Sequence, residues 1–397
     1  MKFLFLPALS SQLTRFMPGG LASAQYAGKP TRSSSPMQRL RCPNWMDEQV
    51  RGTQAYYPHV LASYYYFRNI ALALPKDGYV FGDSGGFSLM RHDGEERAGV
   101  APHQRRLDPV DVLEWQARLC SVGALVDKPP VDGSGNRIWE LALTITAKNA
   151  RDAAEAYPCV RERFPDFRWW GVVHGRDGND LERWYQAIRA IYAFEAPGEG
   201  WAFKPRPASD PVGTARCLSF IRQHPEITRA HFFAAASPQA VAVICALGAG
   251  CGLEFASADA ETSGNLARNR KLLRPTPDCW GYRYGLAEVG EERTCRDYLL
   301  WKCTCFSCQA LREDAERFPE VVMGKYNEYW LHRFHFHNHL AQVRVMQNII
   351  EAAANQPDAL LRAVLGKGYG PVLRVFDGQP DQAALPATAV RTLRNAA

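Results

Sequence analysis

The feature that most constrains this chain is a series of short apolar runs, each followed by a polar residue and then by a helical pattern. The runs are 79–82 "YVFG", 123–126 "GALV", 169–173 "WWGVV", 201–203 "WAF", 230–234 "AHFFA" and 252–256 "GLEFA", and the opening "MKFLFLPAL" reads as a first strand ahead of them. Strand-length apolar runs alternating with helices predict a parallel α/β sheet. Behind the runs stand Asp83, Asp127, His174, Lys204, Ser237 and Asp259. Polar residues at the carboxyl ends of many different strands are what a (β/α)8 barrel uses to build a site, whereas a doubly wound sheet gathers its ligands around one switch point. The series therefore favours a (β/α)8 TIM-type barrel.

Helix start signals support the alternation. "DPVDVLEWQARLC" places Asp108 as a cap with Pro109 in the first helical position, and "SPQAVAVICALG" uses Ser237, Pro238 and a terminating Gly248 in the same way. In "NDLERWYQAIRAIYAF", Asn179 is the expected cap, with Glu182 three residues later. The Gly-, Ser- and Pro-rich stretch 19–36 reads as a surface loop, and 376–397 as a loosely held tail.

With 397 residues, 46% of them hydrophobic and 22% charged, the chain has enough apolar content for a large core. No apolar stretch reaches bilayer-spanning length, which predicts a protein with no membrane partner. Eleven cysteines, scattered apart from one cluster, suit a reducing cytoplasm better than a disulfide framework. The net charge of +6 is compatible with a phosphate-bearing partner without requiring one.

Cys303, Cys305 and Cys308 form C-x-C-x-x-C, and His332, His335, His337 and His339 lie 24 to 31 residues beyond the last of them. Three thiolates and one imidazole complete a tetrahedral structural Zn²⁺ site. Spacing alone leaves open which histidine serves. At the other end of the chain, "VFGDSGGFSLM" puts a carboxylate at a strand end, followed at once by two glycines that allow close backbone approach to a ligand.

DSGGF at a strand end, a second strand-end aspartate, the "GVVHGR" strand and a late C-x-C-x-x-C followed by a His-Asn pair together resemble the tRNA-guanine transglycosylase superfamily, over roughly residues 80–346. The resemblance implies a (β/α)8 barrel with an inserted zinc subdomain that exchanges a guanine base in nucleic acid for a 7-deazaguanine. It divides the chain into a barrel over 1–300, a zinc-binding subdomain with its closing helix over 301–346, and a C-terminal helix and tail over 347–397. Asp83 then matches the first active-site aspartate, with Ser84, Gly85, Gly86 and Phe87 lining the base pocket. Asp127 matches the aspartate that reads the base, and His174 and Gly175 stand where a base-binding Gln-Gly would be. Cys303, Cys305, Cys308 and His337 match the zinc ligands, with His335 as the alternative histidine.

The sequence also departs from that pattern. Ser88 replaces a Gln, Arg176 alters the second motif, and "FASADAETSGNLARNR" stands in place of the usual nucleophile segment, whose register would fall near Ala256. Asp259 is the nearest nucleophile, with Glu254 as the alternative. A diverged nucleophile loop and no obvious appended RNA-binding domain resemble the DNA-modifying branch, which inserts 7-cyano-7-deazaguanine, so DNA is expected over tRNA, with a non-catalytic zinc-stabilised nucleic-acid-binding relative as the alternative. A homodimer or a partner protein remains compatible. "FRWWG", "YRYG" and the segment carrying Arg268, Arg270, Lys271 and Arg274 offer aromatics and cations for stacking and phosphate contacts, but Trp169 and Trp170 read more readily as core, and the four basic residues equally as a solvated face.

Overall fold

The computed structural model describes residues 1–9, 45–46, 50–68, 74–86, 107–131, 136–206, 209–260, 262–269, 271–286, 303–317 and 328–379. The expected loop at 19–36, residue Phe87, Arg270 and all but the first four residues of the expected tail lie outside them. Eight parallel strands form one sheet: β1 (Lys2–Pro7), β2 (Val60–Ser63), β3 (Val80–Asp83), β4 (Val122–Ala124), β5 (Arg168–His174), β6 (Gly200–Lys204), β7 (Arg229–Phe232) and β8 (Phe255–Ala260). Their order is β1-β8-β7-β6-β5-β4-β3-β2, and a parallel bridge from Ala8 to Leu61 joins the two outermost strands. The sheet is thus a nearly closed barrel.

Helices follow most strands: α1 (Tyr64–Phe67), α2 (Pro109–Leu119), α3 (Trp139–Arg163), α4 (Gly178–Arg189), α5 (Pro211–Gln223), α6 (Pro238–Leu247) and α7 (Thr262–Arg268). A hairpin of β9 (Lys271–Pro275) and β10 (Tyr282–Leu286) comes next, then α8 (Phe306–Arg317), α9 (Glu328–Asn355), α10 (Pro357–Leu365) and α11 (Tyr369–Phe376). Among the described residues no helix is long and apolar enough to cross a membrane.

The chain clusters into two compact units. One holds 1–4, 170–258 and 349–397, and the other holds 5–169 and 259–348. The first is built on Trp170, Trp184, Trp201, Phe203 and Phe232, with α6 contributing an almost continuous buried apolar run. In the second, Trp45, Val60, Phe67, Val80 and Trp115 form a core cluster with Phe336 of α9.

The capping signals hold at Asp108, which accepts from the Val110 and Asp111 amides, and at Ser237, which accepts from Ala240. The expected cap of α4 needs correction. Asp177, not Asn179, is extended and accepts from the Asp180 amide, so the helix starts two residues earlier. The sixth apolar run is also misplaced. Residues 249–251 make a 3-10 turn and Gly252 sits at φ +86°, so the strand begins at Phe255 and runs through Asp259. Trp169 and Trp170 are buried, in keeping with the core reading of their aromatic run. The strand β2, short and wholly buried, was not anticipated.

Candidate functional site

Asp83 is the last residue of β3, paired across the ladder with Ser63 of β2. The loop after it folds back on its own side chains: the Gly85 amide donates to Asp83 Oδ2 at 3.1 Å, and the Gly86 amide donates to Ser84 Oγ at 3.3 Å. Gly85 takes φ +81°, where L side chains are strained, and a Cβ there would come within 2.3 Å of Tyr65. At Gly86 a Cβ would lie 2.7 Å from the Asp127 carbonyl oxygen. Glycine therefore lets the DSGG loop press directly on the backbone of the second aspartate.

Asp127 follows β4 by three residues, and Asp259 is the fifth residue of β8, only 9% exposed. Burial pushes the Asp83 carboxyl up to about 7, and the negative charges of Asp127 and Asp259 push in the same direction. The Ser63 hydroxyl and the Gly85 amide pull it down by less. Three carboxyl groups therefore share one electrostatic environment, in which Asp83 keeps its proton to a higher pH than an ordinary aspartate does. A carboxyl that keeps its proton toward neutral pH, set among other carboxyls, is raw material for acid and base chemistry.

One residue that sequence reasoning missed fixes this arrangement. Gln116 of α2 is buried, and its Nε2 donates to Gly82 O and to Ala124 O, both at 2.9 Å. It ties β3 to β4 where their short ladder ends, just before Asp83 on one strand and at the last residue of β4 on the other. The signal was present: a polar residue on the buried face of an amphipathic helix whose facing strands carry Gly82 and Gly123.

The other strand-end residues divide. His174 closes β5, buried, with its ring 4.8 Å from that of Trp184, and the buried Gly175 follows against Leu181. Lys204 closes β6. Ser237 is a helix cap that donates to Ser209 O, a structural use. Glu254 stands before β8, with its side chain 68% exposed and 3.9 Å from Arg229. It is five residues from Asp259, roughly 16 Å along an extended strand, and at the other end of β8.

The three cysteines and one histidine gather into a group that could hold a metal ion. Cys303 and Cys305 precede α8, Cys308 lies in its first turn, and His337 is in the middle of α9. The His337 Nδ1 atom is 3.7, 3.5 and 3.3 Å from the sulfurs of Cys303, Cys305 and Cys308, and the four ligand atoms lie within 4.8 Å of one another. Tetrahedral Zn–S and Zn–N bonds separate their ligand atoms by roughly 3.5 Å, so the group is of the right size.

The His337 Nε2 donates to Leu273 O at 3.0 Å, which leaves Nδ1 as the free ligand atom facing the thiols. Next to it, Asn338 accepts from the Leu273 amide and donates to Lys271 O, at 2.8 and 2.9 Å. His335 and His339 turn instead to Trp45, at 5.2 and 3.8 Å between ring centres, and His332 packs on Phe336. Burial holds the His335 imidazole down at about 3. Arg268, Lys271 and Arg274 are exposed around the hairpin. No family model matches the chain and no curated protein matches it, so its function has to be read from the three carboxylates and the Cys3His group themselves.

Proposed function

We propose that this chain is a base-exchange transglycosylase on a TIM-type barrel, replacing a guanine in nucleic acid, DNA before tRNA, with a 7-deazaguanine. The observation that carries the reading is the shared environment of Asp83, Asp127 and Asp259, with Asp83 raised to about 7. A carboxylate at Asp259 attacks C1′ of the target nucleotide, forming an O–C1′ bond as the C1′–N9 bond breaks, and the bonding pair leaves with the base. Protonated Asp83 supplies a proton to the departing base. The incoming base then gives its ring N–H proton to Asp83 and displaces the Asp259 carboxylate, so the sugar keeps its configuration. Asp127 accepts the N1–H and N2–H donors that guanine and its deaza analogues share.

The target base must leave the stack to reach these groups. The exposed Arg268, Lys271 and Arg274 offer charge for the phosphates. Cys303, Cys305, Cys308 and His337 would hold Zn²⁺ in a closed four-ligand set, which supplies folding energy rather than a reactive position.

The test incubates purified protein with labelled guanine or 7-cyano-7-deazaguanine and equal amounts of DNA and tRNA, then resolves products on a denaturing gel. Label in DNA and a trapped protein–DNA adduct are expected, and Asp259→Asn should abolish both while leaving the fold intact. Label in tRNA alone would reverse the choice of polymer. Label in neither, with no adduct, would refute the enzyme reading.

A further inference from the structure

The backbone on either side of Asp127 is not held by the sheet. β4 stops at Ala124, and the ladder that fixes β3 against β4 covers only Phe81 with Val122 and Gly82 with Gly123. A residue three positions beyond a strand end is ordinarily free to move with its loop. Here two side chains of α3 replace the ladder. Asn149 Nδ2 donates to Val126 O at 3.1 Å, and the Lys128 amide donates to Thr146 Oγ1 at 2.9 Å. The two bonds bracket Asp127, one on the peptide before it and one on the peptide after it.

Thr146 and Asn149 are three residues apart, and so share one face of the helix. Thr146 is fully buried. Threonine and asparagine are poor choices for a helix interior, since their side chains compete for backbone hydrogen bonds. The cost is offset only if those bonds are needed, and both are spent on the segment 126–128. Gly86 of the DSGG loop also closes on the Asp127 carbonyl oxygen. The backbone at Asp127 is therefore held by the helix and closely approached by the loop of Asp83.

We propose that Thr146 and Asn149 are positioning residues that orient the Asp127 carboxylate toward the base, and that they set the preference for bases carrying a 2-amino group. This rests on the transglycosylase reading above. A carboxylate reads N1–H and N2–H together only when both of its oxygens meet both donors. If its peptide can shift, one of the pair is lost, and the guanine-specific half is the N2–H bond. A hydrogen bond to a charged group is worth roughly 10- to 100-fold in binding. Hypoxanthine, which is guanine without the 2-amino group, makes only the first of these bonds and so reports the loss.

The test uses Thr146→Val, which keeps the shape and removes the acceptor, and Thr146→Ser, which keeps the acceptor. Two quantities are read in the full-length protein: hydrogen exchange at the Lys128 amide, and the ratio of kcat/KM for exchange of guanine over hypoxanthine. Thr146→Val should exchange the Lys128 amide about tenfold faster or more and lower the ratio about tenfold, chiefly through KM. Thr146→Ser should stay close to wild type in both. A general loss of packing would slow both bases alike and leave the ratio where it was.

Faster Lys128 exchange with an unchanged ratio would overturn the positioning role, and unchanged Lys128 exchange would overturn the clamp itself. Wild-type protein that exchanges neither base would instead refute the transglycosylase reading and the specificity claim with it. The Lys128 amide would still report separately whether the clamp exists.

Discussion

Replacing Asp83 by Asn should stabilise the protein at alkaline pH and change little at acid pH. The Asp83 carboxyl is raised from its ordinary value of 3.8 to about 7, first by burial and then by the charges of Asp127 and Asp259. A carboxyl with a raised folded pKa binds its proton more tightly in the native state than in the unfolded one. Its contribution is therefore intact below about pH 4, declines as the pH rises, and is fully lost once the pH passes about 7. Each pH unit in that window costs about 1.4 kcal/mol.

Between pH 5 and pH 8 the wild type should thus lose at most about 3 kcal/mol through this one group, since two units of the window lie between pH 5 and the folded value. Asparagine has nothing to titrate, and it keeps a side-chain oxygen for the Gly85 amide, which donates to Asp83 at 3.1 Å. Its neutral amide also escapes the repulsion that Asp127 and Asp259 exert on a charged Asp83. Groups common to both proteins largely cancel when the two are subtracted. Urea unfolding of wild type and Asp83→Asn at pH 5, 6, 7 and 8 gives the difference directly. The variant's advantage should grow by up to about 3 kcal/mol from pH 5 to pH 7 and then level off. A gap that stays constant over the range, or that grows toward acid, would refute the claim that Asp83 pays an electrostatic penalty for sitting beside two other carboxylates.

Metal analysis of freshly purified protein should find about one zinc per chain bound to the four-ligand group, and finding none would refute the assignment. Asn338→Ala should cost about 3 kcal/mol in urea unfolding and speed metal release to a chelator, because it strips partners from the Leu273 amide and Lys271 O beside the His337 ligand. Unchanged release kinetics would separate Asn338 from the metal. Gly123→Ala would place a Cβ 2.3 Å from Gln116 Oε1, so it should expel the Gln116 amide and cost about 2–4 kcal/mol. In that background Gln116→Ala should cost much less than it does alone, and full additivity would count against the tie between β3 and β4.

What was legible in the sequence was what chemistry makes local. C-x-C-x-x-C fits inside one loop and one helical turn, so its three thiols can be seen without knowing the fold. The histidine could not be chosen from spacing, because α9 turns His335 and His339 to Trp45 and only His337 to the sulfurs, and that depends on how α9 packs. Apolar runs marked β3, β5 and β6 to within about a residue at each end, since Asp83, His174 and Lys204 close strands that are otherwise hydrophobic. Thr146 and Asn149 stayed out of sight for a different reason. Each acts on backbone carbonyls or amides, and backbone partners leave no trace in a sequence.

The largest misplacement, at β8, has a cause that bears on function. Strands buried on both faces of a parallel sheet normally read as continuous apolar runs. All six residues of "FASADA" are buried, yet the run contains Ser257 and Asp259 and so looks like a loop. Ser257 finds a partner inside the sheet, with His231 Nδ1 2.9 Å from its hydroxyl. Asp259 is different in kind, since it is a carboxyl buried within a strand whose charge helps to raise the Asp83 carboxyl. A strand that only had to pack would carry valine there. Local rules that fail at one strand, and fail through a residue whose burial costs stability, mark the place where something other than folding chose the amino acid. That place is the residue proposed to attack the sugar.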